Sequence, residues 1–168
     1  MKVFLIGLMG SGKSFWAEKL SALLNIPVFD LDREIEKAEH KTVAEIFTEK
    51  GEAYFRGKEN EVLKSFADKQ SFLISTGGGA PCFFDNMDWM NKNGITIWID
   101  EPLNIIARRL QKEKAHRPLI ASVNDADLED FLARMRDKRN AFYSKAQYQL
   151  TGSNISEKDF LKIISSYE

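Results

Sequence analysis

Residues 7–14, Gly7-Leu8-Met9-Gly10-Ser11-Gly12-Lys13-Ser14, decide how this chain is read. They fit G-x-x-x-x-G-K-[ST] in full, the pattern of a loop that cradles phosphate groups. The context agrees. Val3 to Leu8 is an apolar run ending in glycines, read as a buried parallel strand. Residues 13–24 place Phe15, Leu20, Leu23 and Leu24 at helical spacings. Glycines let successive N–H groups converge on phosphate oxygens, and the helix that follows adds the positive end of its dipole. Lys13 is placed to reach the β- and γ-phosphates, and Ser14 to bind Mg²⁺. A plain glycine turn is the alternative, but such a turn requires neither Lys13 nor Ser14. The motif leaves the second substrate open, since switches, motors and kinases all carry it.

Outward from this loop, strands and helices alternate. Strands are expected at 27–30, 72–75, 95–99 and, weakly, 148–150, and helices at 32–68 (broken near Lys41-Thr42 and Gly51), 84–92, 103–112 and 126–143. Ser156 with Asp159 marks the start of a last helix. Residues 113–124 have little apolar periodicity and are read as a mobile loop. Such alternation implies a parallel sheet covered on both faces. The 168 residues, with no repeat and no long linker, are read as one domain.

Composition removes several classes. Hydrophobic residues at 43% and charged residues at 29% describe an ordinary globular chain, not a disordered or fibrous one. The 24 basic and 25 acidic side chains give a net charge of −1, which disfavours nucleic acid as a partner. No stretch reaches 18 apolar residues, so no membrane-spanning helix is expected. Lys2–Ile6 resembles the start of a signal peptide, but the run stops at Gly7 and is read as the first strand. A single cysteine, Cys82, excludes an internal disulfide and fits a reducing compartment. Neither His40, His116 nor Cys82 has metal-ligand spacing around it.

Three groups of polar residues stand out. Asp30 and Asp32 lie two apart at a strand end, where extended geometry would turn both carboxylates to one side. One can hold a metal's water shell while the other accepts a proton from a hydroxyl. The alternative is that Asp32 only caps a helix beginning at Arg33. Thr76-Gly77-Gly78-Gly79 follows the third strand, so it should sit beside the first loop at the carboxyl end of the sheet. Three consecutive glycines are costly in chain entropy, which favours close ligand approach over a mere turn. Arg56, Arg117 and Arg139 are each, taken alone, compatible with a solvated surface.

Together these residues resemble the shikimate kinase family of small P-loop kinases. The ordered matches are Gly7–Ser14, Asp30-Leu31-Asp32 followed by Ile35-Glu36, Phe55-Arg56 with Glu59, Gly77-Gly78-Gly79, Arg117-Pro118-Leu119, and Lys138-Arg139 with Tyr143. The resemblance implies a three-layer α/β/α P-loop kinase fold, with a five-stranded parallel sheet in the order 2-3-1-4-5 and a lid at about 113–124. It implies that segment 32–68 binds the acceptor, and that the γ-phosphoryl group of ATP goes to the 3-hydroxyl of shikimate. By the same resemblance, Lys13, Asp32 and Arg117 are catalytic. Gly10, Ser11, Gly12, Lys13, Ser14, Phe15, Arg109 and Arg117 meet ATP. Asp32, Arg56, Gly77, Gly78, Gly79 and Arg139 meet the acceptor, with Arg56 and Arg139 on its carboxylate. Ser14 and Asp30 serve Mg²⁺. A cytoplasmic monomer in aromatic amino-acid synthesis is expected. Phe15 departs from the small hydroxyl residue common at that place, and 148–151 makes a poor last strand for the adenine side. The competing readings are another small-metabolite P-loop kinase, such as a gluconate kinase, and a nucleotide-binding module without turnover. A module of that kind would need neither Asp32 nor the two arginines.

Overall fold

The computed structural model describes residues 1–117 and 119–167; the expected lid residue Pro118 lies outside them. Strands β1 (Lys2–Ile6), β2 (Val28–Asp30), β3 (Phe72–Ser75), β4 (Ile95–Asp100) and β5 (Tyr148–Thr151) form one parallel sheet in the order β2-β3-β1-β4-β5. This is the order that the family resemblance implies. The helices are α1 (Lys13–Leu24), α2 (Leu31–Glu39), α3 (Val43–Lys64), α4 (Asn86–Asn93), α5 (Leu103–Glu113), α6 (Leu128–Tyr143) and α7 (Glu157–Ser165).

Successive side chains of a strand point to opposite faces. Val3 and Leu5 therefore enter a core with Trp16 and Leu20 of α1 and Phe160 and Ile164 of α7. Phe4 and Ile6 enter the opposite core, with side chains of α2 to α6. Both faces being covered, the central strands read as nearly continuous apolar runs. The edge strand β5 is different. Its Tyr148 and Leu150 are half-buried while Gln149 and Thr151 are exposed, which is why its sequence signal is weak. It pairs with β4 from Ile97↔Tyr148 to Asp100↔Thr151. The Asp100 carboxylate secures it, accepting hydrogen bonds from Gln149 (2.8 Å) and Arg136 (2.6 Å).

The segment expected to be helical from residue 32 starts one residue earlier. Asp30, not Asp32, caps α2: its carboxylate accepts the Arg33 N–H at 3.2 Å. The two expected breaks are present. His40 ends α2 in the left-handed region, and Thr42 with Glu45 forms a capping box that starts α3. Gly51, at φ 81° and ψ 173°, bends α3 in the middle and separates the half that carries Arg56 and Glu59. Segment 113–124, read as a mobile loop, carries local structure among its described residues. α5 runs to Glu113, a 3₁₀ turn covers Lys114–His116, and the Ile120 side chain is fully buried in the larger core.

A side chain at position 51 would meet no steric obstacle but would be forced into a backbone region that suits only glycine. Gly51→Ala is expected to cost about 1–3 kcal/mol, measured by urea unfolding. A change below the error of that measurement would mean the bend relaxes freely.

Candidate active site

The cradle leaves β1 at Gly7 and enters α1 at Lys13, with Gly10 (φ 75°) and Gly12 (φ 89°) in conformations that suit glycine. Gly12 occupies the capping position without a side chain, so the first-turn N–H groups of α1 face the adjoining cavity. Ser11 is fully buried beneath the loop. Lys13 is only 7% exposed and folds back over the loop, donating to the carbonyls of Gly7 (2.9 Å) and Leu8 (2.7 Å). Burial pulls its pKa down to about 7, partly offset by Asp32. The Ser14 hydroxyl donates to Asp30 Oδ2 at 3.2 Å and lies 3.2 Å from the Ser75 hydroxyl.

A cavity of about 730 Å³ joins this loop to the turn after β3. The turn explains its own glycines. A Cβ on Gly79 would fall 2.5 Å from Arg56 Nη2, and one on Gly78 would fall 2.7 Å from Arg139 Nη1. One on Gly77 would fall 3.1 Å from Asp32 Oδ1 and 3.3 Å from Glu59 Oε2. The close approach anticipated from three glycines is thus made by the protein's own side chains, delivered from α2, α3 and α6. Arg56 is held between the rings of Phe55 and Phe83, its guanidinium 5.2 and 4.3 Å from their centroids. It also donates to Glu59 Oε1 at 2.9 Å.

Two carboxyl groups here are perturbed. Asp32 is pushed up to about 6, first by burial and then by the neighbouring Asp30 carboxylate. Glu59 is fully buried, Oε2 has no hydrogen-bond partner, and burial raises it to about 7 against the pull of Arg56. Asp30 and Asp32 both line the cavity, though not as paired residues of one extended strand. Asp30 ends β2, and Asp32 lies in the first turn of α2.

The remaining expected residues line the far end of the same cavity. Arg109 donates to the Gly10 carbonyl at 3.1 Å and pairs with Glu101 at 2.7 Å. Arg117 donates twice to Glu113 Oε2, at 2.9 and 2.7 Å. Phe15 stands 62% exposed against the cavity, edge-on to Trp16. Ser153 and Ile155 complete this end. Sequence reasoning missed Glu101 and Glu113, which have no motif around them; only the fold brings them beside the two arginines.

Sheet order, cradle and adjoining polar cleft together define a class, the small P-loop kinases. The comparisons narrow it. The model of a family described as shikimate kinase matches residues 9–168. A shikimate kinase of Bacteroides thetaiotaomicron is 41% identical over 158 residues, covering 94% of this chain and 90% of that protein. A crystal structure of shikimate kinase from the same organism superposes with a TM-score of 0.88 at 39% identity, over 99% of this chain and 96% of the other. Shikimate kinase from Acinetobacter baumannii, solved in complex with shikimate, gives 0.87 at 28% identity, over 99% and 94%. This chain belongs to the shikimate kinase family.

Glu59 yields a pH signature. The folded state keeps its proton up to about pH 7, whereas the unfolded chain releases it near 4.5. The native state therefore binds more protons in that window, and its contribution to stability weakens as pH rises through it. Glu59→Gln does not titrate. Urea unfolding at pH 5 and pH 8 should show a larger loss for the wild type than for the variant; equal losses would mean Glu59 is ionised throughout.

Proposed function

We propose that this chain transfers the γ-phosphoryl group of ATP to the 3-hydroxyl of shikimate. The observation that carries the reading is the convergence of Arg56, Arg139 and Asp32 on one glycine turn; Asp32, Gly77 and Gly78 line the cavity that also holds the cradle, and the two arginines meet the turn from outside that lining. Two planar guanidinium groups suit a carboxylate, which they can engage in bidentate fashion. A chain of net charge −1 must concentrate positive charge locally to hold an anionic acceptor beside ATP.

In this reading Gly10, Ser11 and Gly12 present N–H groups to the phosphates. Lys13 exchanges the Gly7 and Leu8 carbonyls for phosphate oxygens, a contact that favours its charged form. Phe15 and Arg109 lie on the nucleoside side, with Glu101 orienting Arg109. Arg117 sets its charge against the transferring group once released from Glu113. Gly77, Gly78 and Gly79 bring the acceptor's ring and carboxylate close to the main chain. Asp32, ionised above about pH 6, accepts the hydroxyl proton as the new P–O bond forms.

Mg²⁺ fits the donor set at Ser14 and Asp30. These are hard oxygens within hydrogen-bond distance of each other, and among the described residues no group of three His, Cys, Asp or Glu competes for a metal. Mg²⁺ characteristically takes one or two protein oxygens and completes its shell with water and phosphate. When bound it would neutralise charge on the β- and γ-phosphates.

The same reading makes the chain a monomer of one domain in the cytoplasm. Segment 32–68 forms the acceptor side, and segment 113–124 acts as a lid that keeps water from the γ-phosphate. ADP release measured with shikimate, gluconate and nucleoside monophosphates tests the acceptor. Turnover is expected with shikimate, and turnover confined to another acceptor would overturn the reading. Asp32→Asn should lower kcat by roughly 10²–10⁴ with its cooperative melt retained; a near-normal kcat would remove Asp32 from the chemistry. Hydrogen exchange tests the lid. Amides of 113–124 should gain protection with a non-hydrolysable ATP analogue, and unchanged exchange would argue against closure.

A further inference from the structure

We propose that Tyr143 is a positioning residue for the acceptor's carboxylate, its hydroxyl tying Arg139 to the carbonyl of Gly78. This rests on the assignment of Gly78 and Arg139 to the acceptor made above.

Tyr143 is the last residue of α6, one turn beyond Arg139. Its side chain is fully buried, and its ring packs 5.5 Å from that of Trp98 on β4. A phenylalanine would fill the same space. What the hydroxyl adds is specific in direction: it donates to Gly78 O at 2.6 Å and accepts from Arg139 Nη1 at 3.4 Å. A phenolic oxygen has one proton to give and lone pairs to receive, so both bonds can exist at once. Burial raises its pKa to about 12, so the donor proton stays in place at any working pH.

The consequence reaches the main chain. The Gly78 carbonyl shares a rigid peptide plane with the Gly79 N–H, so fixing one fixes the direction of the other. Among the described residues neither the Gly78 nor the Gly79 N–H donates to a protein acceptor; Gly78 lines the cavity, where its N–H is available to an anion, whereas Gly79 is buried behind it. Glycine is otherwise the residue most free to reorient. A turn without side chains cannot hold its own peptide planes; here the neighbouring helix does so, through the same side chain that touches the Arg139 guanidinium.

The test compares wild type with Tyr143→Phe, which deletes the hydroxyl and keeps the ring. Steady-state kinetics would be run with shikimate and with its methyl ester, and thermal melts recorded alongside. Loss of one ordinary hydrogen bond corresponds to about three- to tenfold in an equilibrium constant. The KM for shikimate should rise by about that factor while the KM for ATP stays within about twofold. The preference for free acid over ester should shrink correspondingly, because both changes weaken one interaction. Three outcomes would overturn the proposal: an unchanged shikimate KM and ester preference, a parallel loss for both substrates, or loss of the cooperative melt, which would make the hydroxyl a support of the whole fold. Failure of the underlying acceptor assignment shows elsewhere, in a wild type that uses ester and free acid equally well, and it would take the proposal with it. A discriminating wild type with an unaffected variant would remove Tyr143 alone.

Discussion

Thr76 donates twice to the carbonyl of Leu5, through its N–H at 3.1 Å and its hydroxyl at 3.0 Å. That pair of hydrogen bonds sits where β1 and β3 end side by side, in the register Leu5↔Ser75. The polar architecture follows from it. The two glycine turns leave the sheet at the same level and lie against one another; a Cβ on Gly78 would fall 3.4 Å from the Gly7 carbonyl and 3.5 Å from the Met9 N. A slip of one residue in a parallel pair would send alternate side chains of β3 into the wrong core. The apolar layers on both faces therefore police the register that the polar site needs.

The cleft between these turns collects charge that is expensive to bury. Lys13, Asp32 and Glu59 all shift towards their neutral forms, with burial as the first cause in each case. The cost is tolerable because opposite charges alternate: Lys13 faces Asp30 and Asp32, and Arg56 is bracketed by Glu52 and Glu59. Net charge near zero and a strongly polar cleft are thus compatible, since the compensation is local.

Much of this was legible in the residues. Gly7–Ser14 carries a spacing that only a phosphate cradle requires, and the apolar run of β1, with that of β4 broken only by Thr96, marked strands covered on both sides. Gly77–Gly79 announced a close approach, although its object (Arg56, Arg139, Asp32 and Glu59) became visible only in three dimensions. Other features left little trace. β2 passes into α2 with no intervening loop, so the cap falls on Asp30 itself, two residues earlier than Asp32 would place it. Glu101 follows Asp100 and precedes Pro102, an unremarkable polar strand end until α5 lays Arg109 across it. Ile120 sits in a short apolar patch with Leu119, Ala121 and Val123, and no periodicity can show that Ile120 is buried while Leu119 is exposed.

The bare turn at Gly77–Gly79 also bears on how such a site can change over time. A side chain added at Gly78 or Gly79 would displace the guanidinium of Arg139 or Arg56, and one at Gly77 would press on Asp32 and Glu59, so change at the turn disturbs the groups that reach over it. The three helices that reach over it are under less constraint, since exchanging a tip there reshapes the polar surface without touching the turn. Substitution on α2, α3 and α6 is thus the less disruptive route to a different surface over the turn, for natural divergence and for engineering alike.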